Sequence, residues 1–115
     1  FLDCHDLWMS GHRESGVYTI VRDMATKPIY CNMTSSAGWT VLQRRRDGTQ
    51  DFDREWAEYK NGFGSLYGEF WLGLDDIRYM THGRSYSLMV MIEDWKGNTK
   101  YAMYDQFVVF GQNFV

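Results

Sequence analysis

The sequence predicts an α+β fold, with short helices beside antiparallel strands, and three observations support this prediction. Side chains alternate in character along 85–94, which is typical of a strand. Residues 74–82 have two acidic side chains near their start and a glycine just beyond their end, which is typical of a short helix. Residues 39–73 carry eight aromatic residues among five glycines, and this mixture favours compact packing with little regular structure.

Residues 1–38 predict one helix and a pair of strands. Asp3 is of a type preferred at helix N-caps, and Gly11 is of the type preferred just past helix ends. The runs GVYTIVR and PIYCNM are rich in β-branched and aromatic residues, which favours strands. The predicted elements are a helix over 3–10, a strand over 16–22, a turn over 23–27, a strand over 28–33 and a polar turn over 34–38.

Residues 39–115 predict a longer series of short elements. The pairs Asp47-Gly48 and Gly97-Asn98 are turn signals, and Gly62 is a helix stop. Trp39, Val41 and Gln43 are expected on one face of a strand. The predicted elements are a strand over 39–45, helices over 54–60 and 74–82, a strand over 85–94, and strands over 99–104 and 107–110.

Composition and charge argue against two kinds of partner. With 115 residues the chain is one domain at most, and its net charge of -3 offers no basic surface to nucleic acid. The run 44–46 of three arginines is no exception, because neighbours on a strand point to opposite faces. The apolar stretch 88–92 is far too short to cross a bilayer, so no membrane insertion is expected. A first residue Phe1 instead of Met indicates either a processed secreted chain or a partial sequence.

No metal site, cofactor or catalytic centre is predicted in this chain. The three histidines and two cysteines fall at no recognised zinc spacing. The acidic residues between Asp47 and Glu55 lack EF-hand spacing and are interpreted as a solvated turn and helix start. Asp75 and Asp76 come with no nucleophile or metal, so they are interpreted as charges at a helix N-terminus.

Three strings in order carry a resemblance to a known family. They are W-T-V-x-Q-R-R-x-D-G, F-x-x-x-W-x-x-Y-x-x-G-F-G and G-E-F-W-L-G, and the pattern Y-x-L-x-V-x-I-x-D-W follows from Tyr86. The chain resembles the fibrinogen C-terminal globular domain, the module of fibrinogen chains, ficolins, tenascins, angiopoietins and tachylectin-type lectins. The motif residues include Trp39, Arg44, Arg45, Trp56, Gly62, Phe63, Gly64, Glu69, Phe70, Trp71 and Gly73.

The resemblance implies how the chain is organised. On their own, Cys4 and Cys31 are compatible with a disulfide or with two buried thiols. Family members pair these two positions, which implies a small disulfide-closed N-terminal subdomain over 1–38 and an extracellular, secreted protein. Residues 39–115 would then form part of a central antiparallel sheet with short helices, in an incomplete copy of the domain. A strand from the far C-terminus of the family domain enters this sheet, so residues 1–115 alone are expected to be poorly stable.

The resemblance also implies a function. The first expectation is a lectin-like module of innate immunity that binds acetylated sugars on microbial surfaces. The alternative is a structural or signalling ligand in clotting, matrix or receptor binding. In the family, the calcium loop and the ligand pocket lie in the later half of the domain, so calcium and carbohydrate are expected only in the complete domain. Homo-oligomers are expected through regions outside this chain.

Two residues carry further predictions. Asn32 begins the sequon Asn32-Met33-Thr34 and is a candidate for N-glycosylation, whereas the family usually has aspartate there. Glu69 lies between aromatic and glycine neighbours and is expected to be buried, so it needs a partner. The hypothesis is an ion pair with Arg44 or Arg45.

Overall fold

The computed structural model describes residues 1–22 and 24–109. The chain divides into two compact units, Phe1–Ile77 and Arg78–Val115, and a subdomain boundary between residues 38 and 39 stays a prediction. The helices are α1 (Cys4–Met9), α2 (Trp56–Asn61) and α3 (Leu74–Gly83). The strands are β1 (Gly16–Arg22), β2 (Ala25–Met33), β3 (Gly38–Thr40), β4 (Gln43–Arg44), β5 (Phe63–Gly64), β6 (Phe70–Trp71), β7 (Leu88–Glu93) and β8 (Thr99–Tyr104).

The helix α1 begins and ends as its sequence predicts. The Asp3 carboxylate accepts a hydrogen bond from the backbone N–H of Asp6 at 2.9 Å, which satisfies one of the amides that a helix start leaves unpaired. At the other end, Gly11 has a φ of 103°, a conformation that favours glycine. The predicted helix over 3–10 is therefore confirmed to within one residue at each end.

The hairpin of β1 and β2 is tighter than predicted. Arg22 pairs with Ala25, so only two residues connect the strands. The expected turn over 23–27 is wrong in its second half, because Thr26 and Lys27 are already paired with β1. Extending the pairing satisfies these backbone groups within the sheet instead of leaving them in a loop.

The Cys4–Cys31 disulfide joins α1 to β2. Both cysteines are fully buried, and Leu7, Ile20 and Ile29 complete the core around them. The bond closes 27 residues of chain, and in the chain-entropy model a loop of that length is worth about 3.5 kcal/mol. The predicted disulfide between Cys4 and Cys31 is therefore present.

The predicted single strand over 39–45 is wrong. Its first part is β3, which pairs with β2 in a β1-β2-β3 sheet, and its last part is β4, which pairs with β6 in a β4-β6-β5 sheet. Val41 and Leu42 connect the two, and each still makes a backbone bond, to Tyr30 and Leu72 respectively. Trp39 and Gln43 therefore lie in different sheets, which alternation along one strand does not anticipate.

The aromatic and glycine-rich segment contains α2 and two strands of two residues each. The helix begins at Trp56, two residues later than predicted, while the side chain of Arg54 before it pairs with Glu58 at 2.7 Å. Gly62 has a φ of 97°, and a Cβ there would lie 2.3 Å from the Leu72 carbonyl oxygen. Glycine is therefore required at this position by both conformation and space.

The second unit contains a hairpin of β7 and β8. Asp94 accepts bonds from the backbone N–H groups of Lys96 and Asn98, both at 2.9 Å, and from the Asn98 side chain, which confirms the predicted turn. These bonds, the Asn98 side chain first, lower the pKa of Asp94. The predicted strand over 107–110 is wrong over 107–109, which has no strand structure, and Phe110 lies outside the described residues.

Candidate interaction surface

Arg44 holds the turn at residues 65–68. Its Nε donates to the carbonyl of Gly68 at 2.8 Å, and its Nη2 donates to the carbonyl of Leu66 at 2.6 Å. The guanidinium carbon also lies 4.1 Å from the ring centroid of Tyr30 on β2. A planar guanidinium reaches two carbonyls and a ring face at once, which an ammonium group cannot do.

Glu69 is buried, as predicted, but its predicted partner is wrong. The carboxylate accepts hydrogen bonds from four backbone N–H groups in the loop 46–50: from Asp47 at 2.7 Å, from Gly48 and Gln50 at 2.9 Å each, and from Arg46. Neither Arg44 nor Arg45 forms the expected ion pair in the described structure. A cradle of amides satisfies a buried carboxylate without any cationic side chain.

The four amides change the chemistry of this carboxyl group. They favour its charged form and lower the pKa of Glu69 from 4.5 to about 2, and the bonds from Gln50, Arg46 and Gly48 contribute most. Glu69 is 5% exposed, and its burial opposes the shift without cancelling it. Glu69 is therefore charged at neutral pH and acts as a fixed anchor for the loop.

Tyr67 lies on the anchored turn 65–68 and is 77% exposed. Within the turn, Ser65 receives a bond from the backbone of Gly68 and donates to the carbonyl of Glu69, both at 2.9 Å. A large amphipathic side chain held on a rigid turn suits protein recognition, because little conformational freedom is lost on binding. The turn 65–68 and the loop 46–50 together are called the clasped surface below.

Beneath this region lies a cluster of aromatic rings. The Tyr59 and Phe63 rings are 5.2 Å apart and the Phe52 and Phe63 rings 5.1 Å apart, each pair in an edge-to-face arrangement. The indole of Trp71 donates to the carbonyl of Tyr59 at 2.7 Å. Arg45 places its guanidinium carbon 4.5 Å from the Phe52 ring centroid. Of the motif aromatics, Phe63 and Trp71 therefore pack within this cluster.

Asp76 is another buried carboxylate, and its ion pairs were not predicted. Its two oxygens lie 2.6 Å from Nη1 of Arg22 and 2.9 Å from Nζ of Lys27. Asp76 lies in the first turn of α3, as the sequence predicts, but its side chain is only 7% exposed and forms ion pairs that were not predicted. The two cations come from the β1–β2 hairpin, so the contact becomes visible only when the fold is known.

A shallow cleft of about 250 Å³ lies beside β5 and β6. Its walls are mostly aromatic and aliphatic, with contributions from Phe63, Phe70, Trp71 and Leu72, and Lys27 stands at its edge. The Lys27 ammonium group is already paired with Asp76. Among the described residues that line the cleft, no charged group is therefore free to orient a polar ligand.

The described residues hold no group of three or more histidine, cysteine, aspartate or glutamate side chains that could bind a metal ion. Over the described ranges 1–22 and 24–109, no helix has the length and apolar character needed to span a bilayer.

The remaining predicted site residues serve the fold or lie at the surface. Asn32 is exposed on β2, and Trp56 on α2 is 53% exposed. Gly64 and Gly73 have φ values of 89° and 116°, and a Cβ at either would come within 2.8 Å of neighbouring backbone atoms. The sequence neighbours of Glu69 indicate that this residue is buried. Its hydrogen-bond donors are backbone amides, which no pattern of side chains in the sequence identifies.

Comparisons with known proteins agree on one family. The family model for the C-terminal globular domain of fibrinogen beta and gamma chains matches residues 1–114. The chain is 44% identical over 115 residues to angiopoietin-1 of Rattus norvegicus, covering 97% of this chain and 23% of that protein. It is 45% identical over 116 residues to human angiopoietin-4, covering 98% of this chain and 23% of that protein.

A solved structure gives the same result. The fibrinogen-like globe domain of human ANGPTL2 superposes with a TM-score of 0.92 at 36% identity, covering 97% of this chain and 53% of that chain. The chain thus spans about a quarter of the length of the curated relatives and about half of the solved domain. The predicted fold class is confirmed.

The comparisons correct the predicted function. The expectation of a lectin that binds acetylated sugars in innate immunity is wrong, because the relatives found are angiopoietins and angiopoietin-like proteins. These relatives fit the alternative, a signalling ligand. Carbohydrate is therefore withdrawn as the expected partner.

Proposed function

Because this chain belongs to the fibrinogen C-terminal globular domain family, we propose that it is part of a secreted signalling ligand that binds a protein receptor and has no catalytic activity. The observation that carries the proposal is the identity of 43–46% to angiopoietins over nearly the whole chain. The proposal concerns the complete polypeptide, of which this chain supplies a folded portion.

The disulfide supports the extracellular part of the proposal. The Cys4–Cys31 disulfide is fully buried and links α1 to β2, as a structural disulfide does. Structural disulfides form and persist in oxidising compartments. We also propose that any calcium ion belongs to the complete domain, as the family resemblance implies.

The clasped surface supports recognition of a protein. Tyr67 is the most exposed aromatic residue in the first unit, and tyrosine is among the residues that most often dominate binding energy at protein interfaces. The backbone bonds to Arg44 and Glu69 hold the surface in place before any partner arrives. We place the contribution of this chain to receptor contact at Tyr67.

Binding to intact cells tests the function. Labelled full-length polypeptide is expected to bind saturably, to lose binding when the cells are treated with trypsin, and to keep it when they are treated with glycosidases or when acetylated sugars compete. Binding that survives trypsin but disappears with glycosidases would contradict a protein receptor. Turnover of a substrate is not part of the expected behaviour.

A variant pair tests the place of contact. Tyr67→Ala is expected to weaken binding by roughly tenfold or more, since truncating a central interface tyrosine costs about 2 kcal/mol. Met9→Ala is the control, because Met9 is also a large exposed side chain, at 68%, but lies on α1. Equal affinities of the two variants and the wild type would remove Tyr67 from the interface while leaving the signalling function open to the cell assay.

A further inference from the structure

We propose that Asn32 carries an N-linked glycan, and that this glycan covers the outer face of the β1-β2-β3 sheet around Trp39. Asn32-Met33-Thr34 is an acceptor sequence, and of the chain's asparagines only Asn32 is followed by a hydroxyl residue two positions later. The inference goes beyond receptor binding, although both require passage through the secretory pathway.

The strand places Asn32 on the accessible side of the sheet. Its neighbours Cys31 and Met33 are buried, at 0% and 9% exposure, whereas Asn32 is exposed. Because successive strand residues point to opposite faces, the core lies on one side and Asn32 on the other. A bulky sugar attached here extends into solvent without disturbing the disulfide core.

Ser15 holds the Asn32 carboxamide in a geometry compatible with a glycan. The Ser15 hydroxyl donates to Oδ1 of Asn32 at 3.4 Å and accepts from the backbone N–H of Met33 at 2.8 Å. Both bonds leave the glycan's attachment atom unused, since the sugar is joined to Nδ2 and not to Oδ1. Attachment therefore keeps this hydrogen-bonded arrangement intact.

Trp39 is the platform for the first sugar. It is the residue directly opposite Asn32 in the pairing of β2 with β3, and opposed residues have Cβ atoms about 5 Å apart on the same face. Trp39 is half-buried, so the residue keeps some surface exposed to solvent. The apolar C–H face of a pyranose ring packs on such a ring and removes apolar surface from water.

The neighbouring aromatic on the same face is already occupied. Tyr30 lies two residues before Asn32 and therefore shares its face, but the Arg44 guanidinium carbon lies 4.1 Å from its ring centroid. The first sugar is therefore assigned to Trp39. A glycan in this position shields the outer face of the first sheet and leaves protein contact to other surfaces.

Mass analysis of the full-length polypeptide secreted from cultured eukaryotic cells tests the attachment. Peptide N-glycosidase is expected to convert Asn32 to aspartate in the peptide that contains it, with loss of the glycan mass. Asn32→Gln removes the glycan, and Thr34→Ser, which retains a hydroxyl for the sequon and for the turn bonds to Ala37, keeps it. An unmodified Asn32 in the wild-type protein overturns the proposal.

Oxidative footprinting of the same wild-type protein tests the covered face. After enzymatic removal of the glycan, Trp39 is expected to be oxidised several-fold faster than before. Trp56, which is 53% exposed on α2, serves as the internal control and is expected to react equally in both samples. A glycan at Asn32 together with unchanged Trp39 oxidation would overturn the shielding, and the comparison needs no variant to fold.

Discussion

The side chain of Arg44 fixes the turn that precedes β6, and the side chain of Glu69 fixes the loop that follows β4. Arg44 ends β4, just before the loop 46–50, and its side chain bonds the turn 65–68. Glu69 follows that turn, just before β6, and its side chain bonds the loop 46–50. The two loops are thus fixed by side chains exchanged across the β4–β6 pair, in which Arg44 lies opposite Phe70.

Replacing Glu69 tests the cradle. In the complete polypeptide, Glu69→Gln is expected to lower the melting temperature by about 5 °C or more, because the amide keeps only one acceptor oxygen and turns an N–H₂ group towards backbone donors. Glu58→Gln is the control, since Glu58 is 42% exposed and forms a surface pair with Arg54. Equal melting temperatures for wild type and Glu69→Gln would show that the carboxylate does not anchor the loop.

Acid should release the same loop. The folded-state pKa of Glu69, about 2, lies below its ordinary value of 4.5, so its stabilising effect is complete above pH 4.5 and is lost as the pH falls towards 2. Denaturant unfolding measures the unfolding free energies of wild type and Glu69→Gln between pH 6 and pH 2. The difference between them is expected to narrow as the pH falls from about 4.5 to about 2. A difference in unfolding free energy that stays constant from pH 6 to pH 2 would refute the lowered pKa of Glu69.

Replacing Arg44 tests the opposite half of the exchange. Arg44→Lys is expected to cost about 1–2 kcal/mol of unfolding free energy, because lysine keeps the charge but cannot span two carbonyls and a ring face. Arg46→Lys is the matched control, since only the backbone of Arg46 bonds Glu69. Chemical denaturation measures the unfolding free energy of both variants. Equal losses in Arg44→Lys and Arg46→Lys would argue against the paired bonds from Arg44 to the two carbonyls.

Replacing Asp76 is expected to lower the unfolding free energy far more than replacing Asp75. Asp76→Asn is expected to cost about 2–3 kcal/mol, less than a fully buried pair, because Arg22 and Lys27 are about one-third exposed and regain some hydration. Asp75→Asn, on the adjacent position of α3, is expected to change the unfolding free energy by less than about 0.5 kcal/mol. Indistinguishable stabilities of the two variants would contradict the ion-pair network.

A polypeptide limited to residues 1–115 is expected to bind a hydrophobic dye and to melt without a sharp transition. An isolated two-stranded hairpin is marginally stable, and the β7–β8 hairpin exposes Met91, Ile92, Tyr101 and Met103 at 55–65%. The complete natural polypeptide provides the comparison. A cooperative melt of a soluble 1–115 monomer would show that the hairpin needs no further covering.

The fold was predictable where a local signal exists. Asp3 and Gly11 bound α1 as residue preferences predict, and the turn at Asp94 to Asn98 follows from its glycine and asparagine. The strands β5 and β6 were missed because two residues are too few to show periodicity. The break between β3 and β4 was missed because it depends on pairing partners far away in sequence.

The site was predictable only in part, for the same reason. The aromatic and glycine neighbours of Glu69 indicated burial, and burial required a partner. The amides that provide it belong to a loop about 20 residues earlier, and every non-proline residue carries such an amide. The partners of Asp76 likewise come from a hairpin about 50 residues away.

Arg44 and Glu69 fix the backbone conformation of the clasped surface, whereas the exposed side chains of its loops determine which chemical groups it presents to a partner. Within the two loops, Arg44 and Glu69 bond only main-chain carbonyl and amide groups. The side chains of Arg46, Asp47, Thr49, Leu66 and Tyr67 contribute nothing to those bonds. Related proteins that keep the two anchors and the Asp47–Thr49 bonds within the loop can therefore differ at exposed positions such as Tyr67, and so change partners, on the same backbone.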